Sequence, residues 1–345
     1  MDRKPRVIVM MGGPSSEHDV SLASGAQVLA ALRGTGLYEV TALVISRDGE
    51  WQLSNEVPQR LPQPGEAVQS VVAREKTIRG VQLLGDADVV FLALHGTFGE
   101  DGTLQGLLKS LGIPFTGSGP LASALAMSKA KAKELFRYHG LLVARDVQVS
   151  AATIRASVSN AVASVEHAVG YPCVVKPNLG GSSLGVSLAD NAEALAHALQ
   201  WAARFDTDIL VEEKVEGREV TCAVLEALDG TMRALPVIEI VPRKGAFFDF
   251  ASKYDDRGSD EICPALLPAD ETQAVQNAAV KAHQALGCEG FSRTDMFLTD
   301  QGPLVLEVNT IPGMTPNSLL PKAARAAGIA FPELVSHLVQ VALRR

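Results

Sequence analysis

The chain has 345 residues, of which 47% are hydrophobic and 20% charged, and its formal net charge is −8. That length accommodates two or three domains with ample core. The acidic balance, the absence of a Lys/Arg block and an aromatic content of only 5% argue against a nucleic-acid binder. The apolar run in "MDRKPRVIVMMGG" is five residues long and ends at two glycines, too short for a signal segment or a membrane span. Cys173, Cys222, Cys263 and Cys288 form no CxxC pair and read as reduced core thiols of a cytoplasmic protein.

Arg6 to Met11 reads as a first strand, broken by Gly12-Gly13-Pro14-Ser15-Ser16, and a helix follows from about Val20 to Leu32. Tyr38 to Ile45 and Asp88 to Leu94 read as strands, the second apolar throughout and so central in a parallel sheet. Residues 54–80, rich in Pro, Gln, Glu and Arg, read as an exposed excursion, and Ile113 to Thr116 as a short strand. This alternation predicts an open parallel α/β unit ending near residue 117. Pro120 to His139 reads as one helix stopped by Gly140. Beyond it the pattern predicts a helix over 152–168, strands over 171–176, 184–188 and 208–213, and a helix over 191–203. The last third predicts strands over 218–226, 232–241, 291–298 and 303–308, a long polar connection over 243–264, and a terminal helix from Pro332 to Arg345. A connection of that length inside a compact domain is usually functional or disordered.

"KPNLGGSSLGV", residues 176–186, lies between two strands. A Walker loop or a dinucleotide fingerprint lies between a strand and a helix, and the Gly-Lys-Ser/Thr ending is missing. "MGGPSS" also lacks the GxGxxG spacing of a Rossmann dehydrogenase. The loop is therefore either a plain turn or a phosphate lid. Lys176 closes an apolar strand beside it and can serve as a point charge for phosphate. Lys129 has the same potential, although Lys131 and Lys133 on the same stretch make a solvated helix face the default reading.

Glu307 and Asn309, two apart in a strand, project to one face, and Asp295 sits in a neighbouring strand. Carboxylates in an apolar sheet are costly without cations or partners. An oxygen-only set suits Mg²⁺, and the alternative is a strand-end cluster bonded to loop amides. Glu17, His18 and His95 follow strands where open α/β sheets gather ligands, although Ser15, Ser16 and Asp19 also suit a helix cap. In "LVEEKVEGREV" the strand edge and its carboxylates could take adenine and ribose, and glycine in "IPGMT" lets a backbone N–H approach an oxyanion.

In order and spacing, "GGPSSEHDVSLASG", "LHGTFGEDG", "KPNLGGSSLGV", "SKYDDRGSDEICPA", "FSRTDMFL" and "LEVNTIPGMTPNSLLP" together resemble the D-alanine–D-alanine ligases of the ATP-grasp superfamily. The resemblance spans nearly the whole chain. It implies a three-domain α/β fold: an N-terminal open parallel α/β substrate domain (1–117), a central lid domain (118–212) and a C-terminal α+β domain for ATP and metal (213–345). It also makes the glycine-rich loop a lid over ATP phosphates rather than a turn. The implied reaction is phosphorylation of one D-alanine carboxylate by ATP and attack of a second D-alanine amine on the acyl phosphate, for peptidoglycan synthesis.

By the same resemblance, Glu17 holds the first substrate's ammonium and joins Ser182 and Tyr254 in a triad that closes the lid. His95 lines that pocket, Arg293 and the Gly313 N–H stabilise the oxyanion, and Ser318 and Leu319 take the second substrate's carboxylate. Lys129, Lys176 and Lys253 contact phosphates, and Glu212, Glu213, Val215 and Glu219 contact adenine and ribose. Ser183 and Phe297 also bind the nucleotide. Asp295, Glu307 and Asn309 hold two Mg²⁺ ions, for which Mn²⁺ can substitute. The implied protein is a cytoplasmic homodimer joined through its N-terminal region, with small-molecule partners and neither nucleic acid nor membrane. Leu179 in "NLGGSS" departs from the charged residues frequent in the family, and the 54–80 stretch matches nothing in it. Two alternatives stay open: a relative using D-serine or D-lactate as second substrate, and a nucleotide-binding protein with a dead site. The presence of Lys176, Arg293, Asp295, Glu307 and Asn309 together argues against the second of these.

Overall fold

The computed structural model describes residues 3–54, 80–181, 184–242 and 259–345. Strand β1 (Arg6–Gly12) is buried along nearly its whole length and runs between β2 (Glu39–Ile45) and β4 (Val89–Leu92), parallel to both. β3 (Trp51–Ser54) adds an antiparallel edge, giving the order β3-β2-β1-β4. The strand expected over Ile113–Thr116 is reduced to one parallel bridge between Phe115 and Val90. Helix His18–Thr35 covers one face and ends at Gly36, whose φ of 67° is the left-handed conformation open to glycine. The polar excursion expected over 54–80 lies almost wholly outside the described residues.

A second sheet, antiparallel throughout, has the order β5-β8-β6-β7: Asp146–Ser150, Asp208–Glu213, Cys173–Pro177 and Ser187–Ala189. Helices Val158–Ala168 and Ala192–Ala202 pack on it around Val149, Val165, Val175, Leu195, Leu199, Ile209 and Val211. Every residue of that core lies between Val147 and Val211. The helix expected over 152–168 is two helices, broken at Ser157, which is extended and accepts the Asn160 N–H on its side chain. A serine hydroxyl competes with the backbone ladder in this way and starts a new helix.

The third sheet has the order β12-β11-β9-β13-β14, with β10 paired to β9. Its strands are β9 (Arg218–Glu226), β10 (Met232–Ala234), β11 (Ile238–Pro242), β12 (Ser259–Ile262), β13 (Phe291–Thr299) and β14 (Gly302–Asn309). The strand expected over 232–241 is split into β10 and β11, because Pro236 between them has no N–H to give a ladder. Helix Ala269–Ala285 packs on this sheet with Phe136, Met296, Val305 and Val308.

The single helix expected over Pro120–His139 is also two, Pro120–Met127 and Lys129–Tyr138. Ser128 between them has ψ 97°, and the new helix is capped from outside: the Ala130 N–H donates to Asn178 Oδ1 (2.9 Å) and the Lys129 N–H to the Asn178 carbonyl (3.2 Å). Both helices contribute to the core beneath the third sheet. Helices Leu319–Ala326 and Phe331–Leu343 return to the first sheet, so one apolar core runs from Val9, Val28 and Phe91 through Phe291 to Leu320, Leu334 and Leu338. No single helix among the described residues is long and apolar enough to cross a membrane.

Candidate active site

Strand β13 alternates as a half-buried strand must. Thr294 and Met296 are fully buried, whereas Arg293, Asp295 and Phe297 occupy the opposite face. Its partner β14 places Glu307 opposite Asp295 and Asn309 opposite Arg293. The four polar side chains expected to act together therefore share one patch. Arg293 donates from Nε and Nη2 to the two oxygens of Asp295 at 2.8 and 2.7 Å. The Thr221 hydroxyl on β9 donates to Asp295 Oδ1 at 2.6 Å, and Asn309 Nδ2 to Oδ2 at 3.1 Å. Burial works against the Arg293 charge, but Asp295 outweighs it and holds the guanidinium more firmly protonated than usual.

Lys129 Nζ lies 3.6 Å from Glu307 Oε2 and donates to the Gly180 carbonyl at 2.6 Å. It thus ties the metal-type strands to the glycine-rich loop, and the reason is local: Lys129 is the first residue of the helix that Asn178 caps. The solvated-face alternative for Lys129 does not hold, since its side chain is only 12% exposed. Among the described residues no group of three His, Cys, Asp or Glu side chains converges as a ready metal cage. Asp295, Glu307 and Asn309 instead form an oxygen set of two carboxylates and an amide, which fits Mg²⁺ completed by phosphate oxygens and water rather than a closed protein site.

Lys176, on β6, contacts Glu212 Oε2 at 2.5 Å, and Lys133 contacts Oε1 of the same carboxylate at 2.5 Å. Glu212 is 4% exposed. Its burial would raise its pKa, but the two lysines prevail and bring it down to about 2. The adjacent Glu213 points to the other face of β8, where Arg145 engages it at 2.7 Å. Val215 follows that strand, and Glu219 pairs with Phe297 across β9 and β13 on the same face as Asp295.

Glu17 lies between the first unit and the loop. A Cβ added at Gly96 would stand 2.7 Å from Glu17 Oε2, and one at Gly181 3.4 Å, so both glycines permit a close approach. Ser182, Ser183, Lys253 and Tyr254 lie outside the described residues, as does most of the 243–264 connection. His95 is buried, and both its ring nitrogens are bonded: Nδ1 with the Ile311 carbonyl at 3.1 Å and Nε2 with Ser24 Oγ at 2.9 Å. A carbonyl only accepts, so Nδ1 carries the proton and Nε2 accepts from Ser24. Burial lowers the His95 pKa, consistent with that neutral ring. Ser24 Oγ in turn accepts the Met314 N–H at 3.2 Å. The segment bearing Gly313 is therefore fixed to the first unit from both ends.

A Cβ on Gly313 would come within 2.7 Å of Ser318 Oγ. That hydroxyl accepts the Thr315 N–H at 3.0 Å and leaves the start of helix Leu319–Ala326 without a side-chain cap. Such an N-terminus is suited to a carboxylate.

Three residues here escaped the sequence reading. Glu100, in the quoted "FGEDG", accepts the Gly96 N–H at 2.7 Å, and burial together with the Glu17 charge pushes its pKa up to about 8. Lys133, which reads with Lys131 as a solvated helix face, is instead 1% exposed, and Thr221 gives no signal, because a lysine in an Ala/Lys helix and a threonine in a strand look ordinary until their partners are known. Lys129 and Arg293 with two carboxylates beside the glycine loop, and Lys176 on the strand that leads into that loop, suit the handling of phosphate and of an anionic transition state.

Comparison with known proteins gives a consistent result. Residues 6–118 match the family model "D-ala D-ala ligase N-terminus" and residues 135–340 match "D-ala D-ala ligase C-terminus". The D-alanine–D-alanine ligase of Leptospira interrogans serovar Lai is 40% identical over 349 residues, covering 99% of each chain. The crystal structure of the D-alanine–D-alanine ligase from Bacillus anthracis complexed with ATP superposes with a TM-score of 0.77 at 33% identity, over 99% of this chain and 98% of that one. A D-Ala:D-Ser ligase from Enterococcus faecalis superposes with a TM-score of 0.79 at 32% identity, over 98% of this chain and 99% of the other.

Proposed function

The chain belongs to the D-alanine–D-alanine ligase family, and we propose from that premise how its residues divide the work. It is an ATP-dependent ligase that joins two D-alanine molecules to D-alanyl-D-alanine for peptidoglycan synthesis, and its fold is the ATP-grasp fold. The observation that carries the assignment of roles is the single polar patch of Arg293, Asp295, Glu307 and Asn309, linked by Lys129 to the glycine loop.

ATP binds between the second and third sheets. Lys129, Lys176, Ser183 and Lys253 take its phosphates, and Glu212, Glu213, Val215, Glu219 and Phe297 surround its adenosine. Two Mg²⁺ ions, held by Asp295, Glu307 and Asn309, neutralise phosphate charge when bound. Glu17 takes the ammonium of the first D-alanine, with Ser182 and Tyr254 closing the lid over it and His95 fixing the wall behind. The first carboxylate attacks the γ-phosphorus and displaces ADP, giving an acyl phosphate, and the second amine then attacks the acyl carbonyl, giving up a proton as the tetrahedral intermediate expels inorganic phosphate. The oxyanion of that intermediate is met by Arg293 and by the Gly313 N–H, and the second carboxylate by Ser318 and the helix start at Leu319. The protein supplies charge and position rather than a covalent step. We assign residues 1–117, 118–212 and 213–345 to substrate, lid and catalytic domains, with the helices Pro120–Met127 and Lys129–Tyr138 of the middle stretch packed on the catalytic sheet rather than in the interior of the lid, and infer a cytoplasmic homodimer, whose mass light scattering tests.

The deciding assay is phosphate release from ATP and Mg²⁺ with D-alanine, L-alanine, D-alanine plus D-serine, or D-alanine plus D-lactate, with product masses recorded. Release that requires D-alanine, with a dialanine mass, supports the reading. Release only with the mixed pairs overturns the second-substrate assignment.

A further inference from the structure

Lys133 has no part in the roles given above, yet it is among the largest fully buried side chains of the protein. An ammonium removed from water is costly and persists only with good partners. Here they are Glu212 Oε1 at 2.5 Å and, more distantly, Asp146 Oδ1 at 3.9 Å, whose carboxylate is engaged by Arg137. Strand pairing sets this up, since Asp146 on β5 lies opposite Glu212 on β8. Burial pulls the Lys133 ammonium down to about 8 against the raising influence of Glu212, so it remains charged at neutral pH.

The charge count is the informative part. Lys133, Lys176 and Arg137 face Glu212 and Asp146, which makes three positive charges against two negative and leaves the cluster at +1. Without Lys133 the cluster would be neutral. The Lys176–Glu212 pair would then be closed on itself, and a phosphate approaching Lys176 would have to break it. With Lys133 present, Glu212 keeps a counter-ion when Lys176 turns to phosphate.

We propose that Lys133 is a positioning residue of the nucleotide site, neutralising Glu212 so that the Lys176 ammonium is left available to the phosphates of ATP. The inference rests on the reading of Lys176 as a phosphate ligand. It acts through charge balance and does not place Lys133 on the nucleotide.

The test is a cycle of Lys133→Met, Glu212→Gln and the double variant, with Lys176→Met alongside, each as the full chain with folding checked by thermal melting. Steady-state KM is measured for ATP and for D-alanine, together with kcat. Lys133→Met is expected to raise KM for ATP by roughly ten- to a hundredfold, the scale of one lost interaction with a charged group, with KM for D-alanine unchanged. The double variant is expected to match Glu212→Gln alone, because no carboxylate is then left to close on Lys176. This arm also decides the matter if Lys133→Met does not fold, since the double variant leaves no charge on Glu212 to go unpaired, and the Lys176 ammonium loses the same carboxylate in Glu212→Gln alone. A KM for ATP in the double variant well above that of Glu212→Gln overturns the proposal, as does Lys133→Met with an unchanged KM for ATP. If Lys176→Met itself leaves KM for ATP unchanged, the failure lies in the nucleotide-site reading.

Discussion

Replacing Asp295 by asparagine removes the charge to which Arg293 is bound by two hydrogen bonds at 2.8 and 2.7 Å. Both side chains are less than a fifth exposed, so the guanidinium is left largely buried with only Glu307 and Glu100 as counter-charges. Breaking a buried pair from one side costs about 3–5 kcal/mol. Asparagine still offers one oxygen to Thr221 or to Arg293, which favours the lower end, about 3 kcal/mol. In a unit of this size that corresponds to a fall of roughly 6–12 °C in melting temperature. Glu307→Gln provides the contrast: its carboxylate is 29% exposed and stands 3.6 Å from Lys129, so its loss is expected to cost less than about 1 kcal/mol. If both carboxylates hold Mg²⁺, both variants lose at least about a hundredfold in kcat, the scale of removing one preorganised electrostatic group, and both lose the thermal stabilisation that Mg²⁺ and ATP give the parent. Differential scanning fluorimetry with and without Mg²⁺-ATP, beside phosphate release, separates the two effects. Asp295→Asn melting within about 1 °C of the parent refutes the counter-ion argument. Glu307→Gln with near-parental turnover refutes the metal assignment.

Gly313→Ala forces a Cβ to 2.7 Å from Ser318 Oγ and displaces the backbone N–H beside it. Steady-state kinetics should show kcat lowered by about 10²–10³ with KM for ATP little changed. Ser24→Ala leaves His95 Nε2 and the Met314 N–H unpaired in a buried site, a loss of about 1–3 kcal/mol readable in urea unfolding. Glu212 has its pKa lowered from 4.5 to about 2 in the folded protein, so its stabilisation is present above about pH 4.5 and is lost as pH falls towards 2. Acid unfolding followed by circular dichroism should accordingly show parent and Glu212→Gln differing most near neutrality and converging at the acid end.

Much of this site was legible because strand periodicity is strict: Glu307 and Asn309 had to share a face, and β14 does pair Glu307 with Asp295. Strand Asp208–Glu213 and the apolar run of β1 were equally plain from composition. The break at Ser128 was not, because it is made by Asn178 from fifty residues away, and that contact is what brings Lys129 to the loop. A chain read locally continues an Ala/Lys helix through such a point. The raised Glu100 pKa likewise depends on Glu17 and on burial, both properties of the assembled fold. Pro236 and Ser157, by contrast, carried local signals for the splits they cause, a missing donor and a capping hydroxyl.

The way the apolar cores are shared decides which parts can move independently. The first sheet and the C-terminal helices are built into one continuous interior from Val9 to Leu338, so separating them would wet that interior, and the Ser24–His95–Ile311 bonds fasten the same joint. The middle sheet keeps an interior of its own, confined to residues 147–211. Its ties to the neighbouring helix Lys129–Tyr138 include polar ones, among them the Lys129 bond to Gly180 and the Lys133 pair with Glu212. In the lid role proposed for it, the middle sheet is a door with its own frame, set beside a wall built as one piece.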